Sequence, residues 1–197
     1  MNVVSDGPGD GGMVDAGVYR AVTDFAQSQH WLAGSAVAFG EYGVFLVVPV
    51  MLALLWRARG AEALARAAWV PIAVAVALGF DTVLKSLFAE VRPCRVVSGV
   101  HPLLPCDVPT DYSFPSNHTV IAAAFAGAVL LIRRAWGVWA TVFALLVGAS
   151  RVYLGAHYPH DVLAGLAVGL AVGLCGIAAH AHLVRLVDRF VPARVVR

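Results

Sequence analysis

Five apolar runs separated by short polar breaks constrain this chain more than any other feature. They lie near Leu32–Trp56, Leu64–Leu87, Thr119–Ile132, Trp136–Ala149 and Val162–His182. A backbone surrounded by hydrocarbon must satisfy its own N–H and C=O groups, so runs of this kind become membrane-spanning helices. Composition agrees: 60% of the 197 residues are hydrophobic and 13% charged, where a soluble domain carries about twice that charged fraction. The expected fold is an all-α polytopic membrane bundle of about five spans, one domain over residues 13–185. The third and fourth runs are short against the roughly 20 residues a span needs. They gain length if the polar residues at their ends belong to the same helices, which sinks those residues below the membrane surface.

The chain ends read differently. Residues 1–12 are Gly/Asp-rich and lack a basic start, so they show no cleavable signal pattern and are expected to be a disordered tail. Residues 186–197 form a basic tail. Between Val14 and His30, Val14, Val18, Val22 and Phe25 recur at helical spacing with Asp15, Arg20 and Asp24 between them. That amphipathic helix either lies along the membrane interface or caps the loops. Gly165, Gly169 and Gly173 make a small-residue ridge on the fifth run, suited to close helix packing.

Three polar fragments interrupt the apolar background: Lys85 to Arg92-Pro93, Pro115-Ser116-Asn117-His118, and Ser150-Arg151 followed by His157 and Asp161. With five spans they fall on one side of the membrane, at the end of run two, the start of run three and the junction of runs four and five. The opposite side holds Arg57, Arg59, Arg66, Arg133, Arg134, Arg185, Arg189, Arg194 and Arg197, nine of the fourteen Lys and Arg residues. By the positive-inside rule that side is cytoplasmic and the polar fragments face outward. Cys94 and Cys106, in the outward loop, are either a disulfide or two free thiols. Cys175 reads as a small packing residue within run five.

Cations are costly in such a setting and mark a function. Lys85, Arg92 and Arg151 suit a bound phosphate, and His118 and His157 suit a nucleophile and a proton donor. His157 and Asp161, four apart, can share a helical turn, where the carboxylate would hold one ring nitrogen as N–H and leave the other free. Asp81, four before Lys85, is placed to pair with it. Glu41 lies inside the first run, where a carboxylate either pairs with a cation of the site or is protonated. His30, His101 and His160 carry no assigned role. His180-x-His182 is the one close histidine pair, without Cys or carboxylate company, so no metal and no cofactor is expected.

The spacings K-x6-RP, PSNH and SR-x5-H-x3-D together resemble the type 2 phosphatidic acid phosphatase superfamily, metal-independent membrane lipid phosphatases. The resemblance implies that His157 is the nucleophile of a phosphohistidine mechanism, oriented by Asp161. It makes His118 the acid for the leaving group, and gives the phosphate to Lys85, Arg92, Arg151, Ser116 and the backbone N–H of Asn117. Asn117 stands where the commonest pattern has glycine. Asn tolerates positive φ best among the other residues, so the turn is expected to survive with an amide added to the pocket.

Glu41-Tyr42, Val100-His101, Ser113 to Thr119 and Gly155 to Pro159 extend the resemblance to the bacitracin-resistance type of undecaprenyl-diphosphate phosphatase, over roughly residues 20–175. Members of that subgroup often have Asp at the position of Asn117. The resemblance implies a polyprenyl diphosphate or another lipid phosphate as substrate and membrane lipids as partners, with no nucleic acid. The location implied is a bacterial plasma membrane with an outward active site. The alternatives are a phosphatidylglycerophosphate, phosphatidic acid or other prenyl-phosphate phosphatase. A vanadate-dependent haloperoxidase shares the pocket pattern but is soluble, and a non-catalytic scaffold would lack a motif residue.

Overall fold

Every regular element among the described residues is helical. The structure, a computed structural model, describes residues 13–190, so the segments 1–12 and 191–197 lie outside the described residues. The helices are α1 (Met13–Ser28), α2 (His30–Tyr42), α3 (Val47–Arg57), α4 (Ala61–Phe88), α5 (Pro93–Val96), α6 (Asn117–Leu130), α7 (Arg134–Tyr153), α8 (Pro159–Leu174) and α9 (Gly176–Phe190). Trp31, Trp56, Leu87, Trp139 and Leu163 are largely exposed, as side chains facing hydrocarbon would be.

Each apolar run became helix, with two interruptions. The first run tightens into a 3-10 turn at Gly43–Leu46 between α2 and α3. A Cβ at Gly43 would stand 2.9 Å from the Phe39 ring, so this turn depends on glycine. The fifth run bends by 40° between α8 and α9. There the Trp69 indole donates to Gly173 O at 2.8 Å, drawing a carbonyl of the last turn of α8 sideways. Cys175 sits at this bend, exposed, and is not the packing residue expected of it. α9 runs on to Phe190, past the point where the basic tail was placed.

Among the described residues three helical segments, His30–Arg57, Ala61–Val96 and Arg134–Tyr153, are long and apolar enough to cross a membrane, and the bent α8–α9 pair is a fourth if it forms a single span. α6 has 14 residues, about 21 Å of helix against a hydrocarbon core of about 30 Å. It is the axle of the bundle. Val120, Ala122 to Ala126, Ala128 and Val129 are buried around its whole circumference. A helix that is apolar on every side is either wrapped by other helices or faces hydrocarbon, and here α4, α7 and α8 wrap it.

Small residues bring the wrap close. A Cβ on Gly169 would lie 2.5 Å from Val120 O, and one on Gly173 would lie 2.5 Å from Ala124 O. The glycine ridge of α8 therefore rests directly on the α6 backbone. The N-terminal ends of both helices are tied by Ser116 N–H donating to Asp161 O at 3.2 Å.

α1 buries Tyr19, Thr23 and Ala26 against the rest of the protein and leaves Val18 and Phe25 exposed. Val18 and Val22 border an apolar groove with Leu32 and Phe39 of α2 and Leu146 of α7, and Phe25 meets the Tyr153 ring edge-on at 6.4 Å. The other face of α1 covers the loop after α7, where Tyr19 Oη–H donates to Gly155 O at 3.0 Å. Gly155 has φ 77°, and a Cβ there would meet Pro102 at 2.6 Å, so the loop needs glycine.

Candidate active site

The three polar fragments meet at one end of the bundle around a cavity of about 180 Å³. Arg92, Asn117, His118, Arg151 and His157 line it together with Glu41. Each arrives at a helix end. Arg92 precedes the short α5, Asn117 and His118 open α6, Arg151 lies in the last turn of α7, and His157 stands just before α8. Motif residues do lengthen the third and fourth apolar helices, because α6 starts at Asn117 and α7 runs through Arg151.

His157 was expected on the same helical turn as Asp161. It lies instead one residue before the N-cap Tyr158, because Pro159 starts the helix. The pairing survives: His157 Nδ1 is 3.3 Å from Asp161 Oδ2. The same oxygen accepts the Tyr158 N–H at 2.8 Å and the Ser113 hydroxyl. With Nδ1 turned to the carboxylate, Nε2 points the other way and lies 3.5 Å from Arg92 Nη1. His157 is 1% exposed and Asp161 is fully buried. Burial pushes the His157 imidazole down to about 4, against the opposing pull of Asp161, so the ring is neutral at ordinary pH.

All three cations already have carboxylate partners. Arg151 Nη1 donates to Glu41 Oε1 at 2.6 Å and to Gly40 O at 2.8 Å. Glu41 is thus the paired carboxylate of its two sequence options. Arg92 donates from Nη2 to Asp111 Oδ2 at 3.0 Å and from Nε to Asp111 O at 3.0 Å. Its Nη1 reaches Ala156 O at 3.1 Å and Asp107 Oδ2 at 3.0 Å. Lys85 Nζ donates to Tyr112 O and lies 3.5 Å from Asp111 Oδ1. The expected Asp81–Lys85 ion pair is not made: the ammonium turns to the loop, and Asp81 is buried with Oδ1 unpartnered.

Lys85, Ser116, Asp81 and Asp161 do not line the cavity. Ser116 is fully buried and its Oγ accepts from Thr119 Oγ1 at 3.1 Å. Asn117 has helical geometry, not the positive φ foreseen for it, because the turn is made by the extended Ser116 before it (φ −78°). Its Oδ1 is buried without a partner. Cys94 and Cys106 are joined as a disulfide, which pins the loop that carries Asp107 and Asp111.

Sequence reasoning missed Ser113, Asp107 and Asp111, and it gave His160 no role. The loop residues carry no periodicity that would expose their partners. Two carboxylates close behind the cysteines of a loop leading to the second motif were the available signal. Spacing also showed no cluster of ligand-type groups, yet the fold gathers Glu90, His160 and Asp161 within 4.8 Å. In this structure the imidazole itself points into the carboxylates there, where a cation would sit.

The profile of the PAP2 superfamily matches residues 66–185. The undecaprenyl-diphosphatase BcrC of Bacillus subtilis is 30% identical over 156 residues, 79% of this chain and 79% of that protein. The decaprenylphosphoryl-5-phosphoribose phosphatase of Mycobacterium tuberculosis is 34% identical over 137 residues, 68% of this chain and 71% of the other. Among solved structures, Aquifex aeolicus LpxE superposes with a TM-score of 0.72 at 21% identity, covering 87% of this chain and 98% of that one.

Proposed function

We propose that this chain, which belongs to the PAP2 superfamily, is a membrane lipid phosphatase that removes the terminal phosphate of undecaprenyl diphosphate or a similar polyprenyl diphosphate. The observation that carries the reading is His157. Its Nδ1 is committed to Asp161 and its Nε2 is turned toward Arg92 and the cavity.

The reaction runs in two displacements. His157 Nε2 attacks the terminal phosphorus, and the bond to the bridging oxygen breaks. His118 protonates that oxygen as the lipid monophosphate leaves. Asp161 keeps the proton on Nδ1 and stabilises the positive ring. Arg92 and Arg151, which line the cavity, offset charge on the phosphoryl oxygens with Asn117 and the N–H groups at the start of α6, and Lys85 acts from behind them through Asp111. Ser116 holds the turn that presents those groups. Water, giving its proton to His118, then releases phosphate from His157. The cations do the electrostatic work that a metal does elsewhere, so the reaction needs none.

Charge asymmetry along the chain supports an extracytoplasmic site in a bacterial plasma membrane. There the activity would recycle the carrier lipid of cell-wall synthesis. The similarity to the phosphoribose phosphatase favours a second reading, hydrolysis of a monoester on a polyprenyl-linked sugar.

The test is phosphate release by the purified chain from polyprenyl diphosphates, a polyprenyl phosphosugar and phosphatidylglycerophosphate, with EDTA present. Turnover is expected in EDTA, with inhibition by vanadate. His157→Ala should be inactive though folded, and His118→Ala should lose most on poor leaving groups and least on activated esters. A divalent requirement, or an active His157→Ala enzyme, rejects this mechanism.

A further inference from the structure

His160 stands beside the His157–Asp161 pair and joins three distant parts of the chain. Nδ1 contacts Asp15 Oδ2 of α1. Nε2 lies 3.0 Å from the Glu90 carboxylate, in the segment after α4, and 3.2 Å from Asp161 Oδ1. The ring is stacked on Tyr158 at 5.4 Å and on Phe114 at 5.7 Å between centroids. A neutral imidazole has one N–H donor and one lone pair. Carboxylates face both nitrogens here, so a neutral ring would aim its lone pair at an anion. Only the doubly protonated ring satisfies the geometry.

The consequence falls on Asp161. Oδ2 serves His157, Ser113 and the Tyr158 N–H, whereas Oδ1 is buried with no hydrogen bond and faces the His160 ring. A buried carboxylate edge with no cation near it favours taking up a proton. A protonated Asp161 would hold the His157 N–H weakly and release the ring from its attacking orientation.

We propose that His160 is a positioning residue for the reaction. As an imidazolium held by Asp15 and Glu90, it keeps Asp161 ionised and in place against His157. The inference rests on the catalytic assignment of His157 and Asp161 above. It also makes the amphipathic helix α1 part of the catalytic support, through Asp15.

The experiment measures kcat and KM of the full chain in detergent for His160→Gln, His160→Lys, Asp15→Asn, Glu90→Gln, Asp161→Asn and His157→Ala, each with its unfolding temperature. His160→Gln is expected to lower kcat about 10- to 100-fold while KM stays within about twofold, since His160 does not touch the substrate. His160→Lys, which restores a cation, should recover part of kcat. Asp15→Asn and Glu90→Gln should each lower kcat by a smaller factor. If His160→Gln does not fold, Asp15→Asn decides, an unchanged kcat overturning the inference. Wild-type kcat in His160→Gln, or equal losses in His160→Gln and His160→Lys that follow unfolding temperature, also overturns it. So does wild-type activity lost in EDTA and regained with added manganese or zinc, which would make the cluster a metal site. An active His157→Ala enzyme would reject the parent mechanism, whereas an inactive one beside a normal His160→Gln rejects this inference alone.

Discussion

Arg92 has most of its N–H groups engaged before any substrate arrives, and two of its partners are the side chains of Asp107 and Asp111. Asp107 is half exposed, so its contact with Arg92 is the more easily displaced. Asp107→Asn should tighten inhibition by free phosphate about two- to fivefold, matching the roughly 0.4–1 kcal/mol of a partly exposed ion pair. Unchanged phosphate inhibition would show that Asp107 moves aside at no cost. As the proposed nucleophile, His157 would set the acid side of the pH profile. Its ring is held near 4 by burial, against about 6.5 for an ordinary imidazole. Protonation removes the nucleophile, so the limb of kcat/KM that belongs to His157 should fall below about pH 4 and leave the range near pH 6.5 flat. Stability carries the same sign. The unfolded chain takes up a proton near 6.5 that the folded chain refuses, so the contribution of His157 is present above 6.5 and is lost as pH falls toward 4. A kcat/KM limb near 6.5 that His157 substitutions abolish would contradict the buried neutral ring.

α6 and α8 meet backbone to backbone, which makes the glycine ridge the most sensitive contact of the bundle. A Cβ at Gly169 would stand 2.5 Å from a carbonyl oxygen and 2.7 Å from the Ala123 Cβ, neither of which can swing away. Gly169→Ala should therefore cost about 1–3 kcal/mol, read as a lower unfolding temperature in detergent. It should also reduce kcat, since the two helices carry His118 and Asp161. A variant with wild-type stability would mean that the helices can separate freely. Much at this scale was legible in the sequence: the apolar runs, the ridge and the helix ends that carry motif residues. The 3-10 turn at Gly43 and the bend at Cys175 were not. The Phe39 ring lies over Gly43 and the Trp69 indole bonds Gly173 O, contacts that hydropathy does not record. The same limit hid Asp107, Asp111 and His160, whose partners lie in other parts of the fold.

At the scale of the whole molecule, Arg57, Arg66, Arg133, Arg134, Arg185 and Arg189 lie at or beside the helix ends away from the cavity, and that asymmetry predicts orientation. In intact cells an impermeant thiol reagent should label Cys94 after reduction and should not reach a cysteine placed by Arg134→Cys. The reverse pattern would invert the topology and make cytoplasmic lipid phosphates the better candidates. The pairing of each cation with a nearby carboxylate has a consequence for selectivity. Asp107, Asp111 and Glu41 are tethered to their partners and act at a high effective concentration, which a dilute dissolved anion cannot match. A lipid headgroup is tethered too, because its tail confines it to the sheet in which the protein sits. Anchored ligand then competes with anchored ligand on even terms, and loose phosphate and nucleotides in the surrounding water are left at a disadvantage.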